Sequence, residues 1–315
     1  CLWTSAAFST RGDDSNKDTS SSQRLFEWLT YHLHIAKFDH VYVYDNTYPE
    51  SGRSLQPIID QFPESRVTRI KWPHRVCNNN RPMHMNPGER SSQYSAEASC
   101  RIRFGPLSTW LVNMDVDEYL VPQKWTSIRE WLIDAERNRP ETRIHSFFQT
   151  RALPNAMLMD PTDSGEKTCS NKNCLMKRPN TTFLHTYDCE KTPLPKPDFG
   201  WRAKKQIYKP RHVLNHFVHY SVVTDRINYN RNDESSNAFN ARPPFERRVD
   251  EKEDAFMLHT KTTYPEATQR WQKDCVATEL RQSKDNCPVG IPHDFETDGT
   301  TSSSLNTTVL NGLLM

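Results

Sequence analysis

The chain predicts an α/β fold built on a mostly parallel central sheet, and three observations carry that prediction. Strand-like and helix-like segments alternate along most of the length, the pattern of β-α-β units. The first 46 residues read as one complete unit of that kind. The run 109–114 alternates too little for a half-exposed strand and fits a parallel strand covered on both faces.

Taken in order, residues 2–8 suit a short strand and 11–22 a polar loop. Ser20-x-x-Gln23 has the form of a capping box. Leu25, Leu29, His32, Leu33 and Ala36 then share one face of an amphipathic helix. Val41 to Tyr44 is rich in β-formers and stops at Asp45-Asn46-Thr47, which could be simple turn formers. Residues 54–62 suit a short helix, 66–72 a strand ended by Pro73, and 73–89 a loop. Ser91 or Ser92 can cap a helix running to about Arg103.

After the run 109–114 come Asp115, Asp117 and Glu118, then Tyr119 and Leu120. Ser127 to Glu130 is another capping box, followed by Ile128, Trp131, Leu132 and Ala135 at helical spacing. Residues 144–148 predict a strand, 151–201 a loop-rich insertion, and 205–208 with 216–223 a pair of strands. Residues 225–254 are polar and predict a mobile loop, 256–259 a last apolar strand, and 265–273 a closing helix.

The 315 residues suit one large α/β domain or two smaller ones. With 41 basic and 39 acidic side chains the formal net charge is only +2, which argues against a nucleic-acid partner. No apolar run reaches the roughly 20 residues of a membrane helix. The chain begins at Cys1, so an anchor or signal upstream of it is an expectation left open. Eight cysteines form no C-x-x-C pair, and Cys169, Cys174 and Cys189 surround the sequon at Asn180; a second sequon begins at Asn306. These features favour an oxidising, lumenal compartment and disulfide bonds.

Three carboxylates inside an apolar segment are costly unless a cation or hydrogen-bond donors meet them. A surface turn would account for them blandly. A divalent-metal site at the carboxyl end of a buried strand accounts for them chemically. Only nine glycines occur, and none makes a phosphate-cradling loop, so a bound diphosphate would need a metal and basic side chains. Mg²⁺ and Mn²⁺ prefer oxygen ligands, and a histidine ligand would favour Mn²⁺. His219 and His259 each end an apolar run, and Lys261 is spaced to meet a phosphate if His259 meets the metal.

These residues carry a resemblance. Gln23 to His32, continuing to Val43-Tyr44-Asp45-Asn46, looks like the opening of glycosyltransferase family 92. Trp110 to Pro122 resembles that family's Asp-x-Asp-Glu segment, Lys205 to Pro210 through His219 its Lys-x-Ile-x-x-Pro…His block, and Met257 to Thr262 its later histidine block, with Thr260 where Tyr is usual. Residues 144–153 depart from the glycine-containing pattern the resemblance leads one to expect.

The resemblance implies an A-type glycosyltransferase fold with a Rossmann-like sheet, an irregular acceptor-side insertion, and a Mn²⁺-dependent transfer of a hexose. Galactose from UDP-galactose is the first donor to expect, with a glycan or glycoprotein as acceptor. It places Asp45 and Asn46 near the donor nucleoside, Asp115 and Asp117 at the metal and diphosphate, and His259 at the metal; the spacing of the residues adds Lys261 at the donor, with His219 and Glu118 as lesser metal candidates. A reaction with inversion would need a carboxylate base, and the sequence names none.

The expected layout is a transferase domain over 1–275, with a nucleotide-sugar half to 122, an acceptor half from 123, and a disordered tail over 276–315. The expected location is the Golgi lumen, with a membrane anchor in the full-length protein. Two rivals stand beside this reading. One is a secreted, non-enzymatic glycan-binding or scaffold domain with a degenerate site. The other is a phosphotransferase or phosphatase with Asp115 as nucleophile and Asp117 as acid.

Overall fold

The computed structural model describes residues 1–4, 18–47, 54–73, 89–151, 157–159, 174–176, 182, 184, 204–223 and 245–260. The chain opens with β1 (Leu2–Trp3), α1 (Asp18–Thr30) and a π-helical turn (Tyr31–Ile35). It continues through β2 (Val41–Asp45), α2 (Gln56–Ile59), β3 (Val67–Lys71) and α3 (Glu89–Phe104). Then follow β4 (Leu111–Val112), β5 (Met114–Asp115), β6 (Glu118–Pro122), α4 (Ile128–Asn138) and β7 (Ile144–Arg151). The remaining elements are β8 (Met157–Met159), β9 (Cys174–Met176), β10 (Lys204–Tyr208), β11 (Val213–Phe217), β12 (Tyr220–Val223), β13 (Glu246–Arg248) and β14 (Ala255–His259).

The first sheet has strand order β3-β2-β1-β5 and is parallel throughout, as the alternating pattern predicts. The second runs β4-β10-β7-β14-β6 and is mixed. Its β10 and β6 lie antiparallel to their neighbours, while β13 and β14 successively line one edge of β7 in parallel. Together they make a mixed α/β architecture.

Several local expectations change. The run 109–114 is two strands rather than one: β4 pairs antiparallel with β10, and β5 pairs parallel with β1. Leu111 joins one apolar cluster and Met114 the other, so the chain must pass between sheets, and buried Asn113 makes the crossing by donating to Tyr208 Oη at 3.3 Å. Ser20 and Gln23 lie inside α1, and Ser91 and Ser92 inside α3, so these serines are not the caps. The capping box at Ser127 holds, with Glu130 N donating to Ser127 Oγ at 3.1 Å. Within the expected mobile loop, 246–248 form β13, because Glu246 is buried and accepts from Lys204 Nζ and Ser146 Oγ, both at 2.6 Å. The strands at 205–208 and 216–223 pair elsewhere: β10 lies between β4 and β7, and 213–223 fold back as the β11–β12 hairpin. The loop 74–88, the helix at 265–273, the tail, and the sequon asparagines Asn180 and Asn306 lie outside the described residues.

The main apolar cluster joins α1 (Leu25, Trp28, Leu29) to β2, β5, β6, α4 and β14. The π-turn, closed by Ala36 N on Tyr31 O at 3.0 Å, ends at Lys37 with φ 58°, a left-handed terminator. Among the described residues no helix is long and apolar enough to cross a membrane.

Cys1 and Cys100 form a disulfide between the start of β1 and α3, across a sequence separation of 99. A crosslink closing so long a loop restricts the unfolded chain strongly. Cys100→Ser should therefore lower the unfolding free energy by about 4 kcal/mol, read from urea midpoints.

His145 is fully buried between Trp110 and Trp131, with neither ring nitrogen hydrogen-bonded. Burial, helped by Arg247, Lys209 and Arg139, pulls its pKa from 6.5 to about 3. A folded-state pKa below the unfolded one means the unfolded chain binds the proton first. Stability from this residue is complete above pH 6.5 and is lost as pH falls toward 3. At pH 5.5 the loss is roughly 1 kcal/mol. His145→Phe should keep stability at pH 7.5 and reduce the drop at pH 5.5 by that amount; an unchanged drop would contradict this.

Candidate active site

The strand order of the first sheet sets the position of the site. From β1 the chain steps outward to β2 and β3, then returns to place β5 on the other side of β1. The order therefore reverses at the β1–β5 boundary, and open α/β sheets bind ligands beyond the carboxyl ends of the strands at such a point. Trp3 is in register with Tyr44 on one side and Asp115 on the other. Asp115 thus ends β5 at that point, and Asp45 ends β2 on the other side of β1, with Asn46 just beyond it.

A tight turn follows Asp115. Its backbone N–H donates to Glu118 Oε2 at 2.9 Å, so the buried glutamate closes the turn from within. Beyond the turn, β6 pairs with β14 along one edge, with Glu118 opposite His259. Side chains from the first helical segment cover the backbone of β6. Trp28 Nε1 donates to Glu118 O at 2.7 Å and Tyr31 Oη to Leu120 O at 3.1 Å, while Leu120 N–H points at His32 Nε2 at 3.5 Å. Residues i, i+3 and i+4 share a helix face, so Trp28, Tyr31 and His32 together anchor the strand that carries the acids.

Lys205, almost fully buried, places Nζ 3.2 Å from both Asp115 Oδ2 and Glu118 Oε2. Burial alone would lower its pKa, but Asp115, Glu118 and Glu97 outweigh burial and raise it, so it stays charged. Gln93 on α3 donates to Asp115 Oδ1 at 2.9 Å. Burial pushes Glu118 up to about 7, against Lys205 and with the help of Asp115. Burial likewise pushes Glu97 up to about 8, again against Lys205.

Asp117 has a different set of neighbours. Its Oδ2 lies 3.2 Å from His259 Nε2, and its buried Oδ1 has no hydrogen-bond partner. Burial pushes its pKa up, but His259 first, then Arg24 and Lys205, outweigh burial and hold it below the usual carboxylate range. The strand end bearing His259 is clamped to the acid turn. Thr260 N donates to Asp117 O at 2.7 Å and Thr260 Oγ1 to the same oxygen at 3.0 Å, while Arg24 Nη2 donates to Thr260 O and, at 2.6 Å, to Thr260 Oγ1.

The structure therefore brings Asp115, Asp117, Glu118 and His259 to one place but separates the carboxylates. Asp115 and Glu118 face Lys205, and Asp117 faces His259. Asp45 is buried and already engaged, with Oδ2 on Arg69 Nη2 at 2.6 Å and Oδ1 accepting from Thr47 N at 2.9 Å. Asn46 Oδ1 accepts from Thr4 Oγ1 at 3.0 Å. His219 Nδ1 faces the Lys204 carbonyl oxygen at 3.0 Å. Lys261 lies outside the described residues.

Sequence reasoning missed Lys205, Gln93, Glu97, Arg24 and Gln149 as members of this constellation. Lys205 and Arg24 stand inside the blocks that carry the family resemblance, the one signal that could have found them. Gln93, Glu97 and Gln149 carry no signal of their own.

The donor set suits a hard or borderline divalent ion at Asp117 and His259. A buried carboxylate oxygen without a partner, beside an imidazole nitrogen, is the combination such an ion satisfies. Among the described residues no third His, Cys, Asp or Glu joins them in a ligand cluster, which leaves the rest of a coordination shell to ligand oxygens and water.

The family model described as glycosyltransferase family 92 matches residues 17–295, nearly the whole chain. No curated protein matches it. With that match lying across the α/β frame and the acid turn at its switch point, the chain belongs to glycosyltransferase family 92 and is a glycosyltransferase.

Proposed function

We propose that this glycosyltransferase moves a hexose, galactose from UDP-galactose being the first donor to test, onto a glycan acceptor with the help of Mn²⁺. The observation that carries the reading is the pairing of Asp117, with its unsatisfied oxygen, and His259 at the switch-point crevice. These two residues would hold the ion. When bound, it would neutralise the negative charge that builds on the nucleotide leaving group.

The chain's own residues do the rest. Asp115, fixed by Lys205 and Gln93, keeps part of its carboxylate at the surface, 22% exposed, where donor hydroxyls can reach it. Lys205 offsets the charge of Asp115 and Glu118 and spares the site a surplus of acid that would repel a diphosphate. Asp45 and Asn46 line the donor-nucleoside side of the crevice. Asp45 acts there by holding Thr47 and Arg69, since its oxygens are taken. Lys261, two residues past His259, is assigned to the diphosphate.

A Golgi lumenal location agrees with the Cys1–Cys100 disulfide and the two sequons.

Incubation of purified protein with UDP-galactose, a glycan mixture and MnCl₂ should release UDP, and chelator should stop the release. Release from no UDP-sugar, or release indifferent to chelator, contradicts the proposal.

A further inference from the structure

We propose that Gln149 is the positioning residue that makes His259 a ligand through Nε2. The inference rests on the reading of Asp117 and His259 as the ion's holders. It is carried by a three-strand arrangement. In the second sheet β14 lies between β6 and β7, with His259 opposite Glu118 on one side and Met257 opposite Gln149 on the other. Met257 and His259 are two apart on β14 and share a face, so the Gln149 side chain lies beside His259 and reaches across β14.

Its amide is used at both ends. Nε2 donates to Glu118 Oε1 at 2.6 Å, and Oε1 lies 3.1 Å from His259 Nδ1. The side chain is 5% exposed, so water does not compete freely for either contact. The bond to Glu118 decides which way the amide faces: a carboxylate oxygen accepts, so the NH₂ group must point at it. The carbonyl oxygen is thereby turned to Nδ1, and an oxygen at that position requires Nδ1 to carry the proton. Asp117 Oδ2, 3.2 Å from Nε2, makes the same demand on that nitrogen, and a divalent ion would take the place of its proton, leaving the neutral ring to ligate through Nε2. An acceptor on the remote nitrogen is the usual device that fixes a ligating histidine's tautomer and ring angle.

The residue type matters as well. A carboxylate at 149 would accept from Nδ1 equally well, but it would meet Glu118 at hydrogen-bond distance in a buried space, where like charges are costly. An apolar side chain would leave Nδ1–H and Glu118 Oε1 without this partner. Only an amide satisfies both neighbours, and asparagine is one methylene too short to span them. Gln149 thus links the acid that closes the turn to the imidazole that faces Asp117, so that both hold one geometry.

Two measurements test this. In protein labelled with ¹⁵N-histidine and saturated with Mg²⁺ and UDP, long-range ¹H–¹⁵N spectra should show His259 protonated at Nδ1 and not at Nε2; the reverse tautomer overturns the proposal without any variant. Separately, Mn²⁺ affinity in the presence of UDP is read from the EPR signal of free Mn²⁺. Gln149→Leu, or Gln149→Asn should the leucine variant not fold, should bind on the order of 10–100-fold more weakly than wild type. Equal affinity in a folded variant overturns the role of Gln149 while leaving the metal reading intact. Failure of the wild type to bind Mn²⁺ overturns the metal reading, and this inference with it.

Discussion

Asp117→Asn should lower turnover of the sugar donor by at least about 10²–10³-fold, the scale seen when one electrostatic contact to a developing charge is removed. The substitution keeps size and shape but removes the negative charge. It also replaces one carboxylate oxygen by an NH₂ group, which cannot ligate a cation. The stability effect should be small by comparison, because the backbone contacts that clamp this turn remain: Thr260 N and Oγ1 still reach the residue 117 carbonyl. Asp117 is also the acid whose charge His259, Arg24 and Lys205 all favour despite its burial. A site that keeps one carboxylate charged and leaves one of its oxygens unused has a use for that charge. Initial rates at saturating Mn²⁺, together with an unfolding curve, check both halves of the expectation. Wild-type turnover in the variant would remove Asp117 from the site.

A large loss of stability, comparable to that expected on breaking the disulfide, should come from Lys205→Met. The side chain is 1% exposed, and its ammonium is shared between Asp115 and Glu118. Methionine fills a similar volume but leaves Glu118, itself fully buried, beside Asp115 with no counter-charge. Removing one partner of a buried ion pair costs about 3–5 kcal/mol, because the remaining charge stays desolvated. Arginine keeps the charge, but its planar guanidinium does not fit a slot built for a compact ammonium, so Lys205→Arg should recover only part of the loss. Chemical denaturation of the three proteins at pH 7.5 measures this. A methionine variant within 1 kcal/mol of wild type at that pH would show that the ammonium does not hold the acids together.

Much of the frame is legible in the sequence because it is written in periodicity. The face of α1 at Leu25 and Leu29, the strands at 41–45, 67–71 and 255–259, and the capping box at Ser127 follow from local pattern, and the structure has them, while the predicted continuation of that face through His32 and Leu33 turns π-helical. The split of 109–114 is not legible. Two strands of two residues each leave no period to read, and the switch from parallel to antiparallel partners depends on β10, some 90 residues away. The second sheet is hidden for the same reason, since β7 draws its partners from three distant segments.

At the site, Asp115, Asp117, Glu118 and His259 stand out because acids and a terminal histidine in apolar runs need an explanation. Lys205 and Gln149 do not stand out. A lysine or glutamine in a strand-like segment reads as solvent-facing, and only the sheet register shows that both point into the acid cluster. Of Trp28, Tyr31 and His32, only His32 belongs to the helical face that the spacing predicts, while all three stand in the segment that resembles the family. Their work, capping the backbone of β6, can be seen only once the helix is placed against that strand.

The central claim is that Asp117 and His259 hold one divalent ion against the donor's diphosphate. Pulsed EPR of the protein with Mn²⁺ and UDP tests it most directly. Hyperfine coupling to one histidine ¹⁴N and to ³¹P in the same complex, with the nitrogen coupling lost in His259→Ala, is the expected result. A bound Mn²⁺ that shows phosphorus coupling and no nitrogen coupling in the wild type would contradict the account.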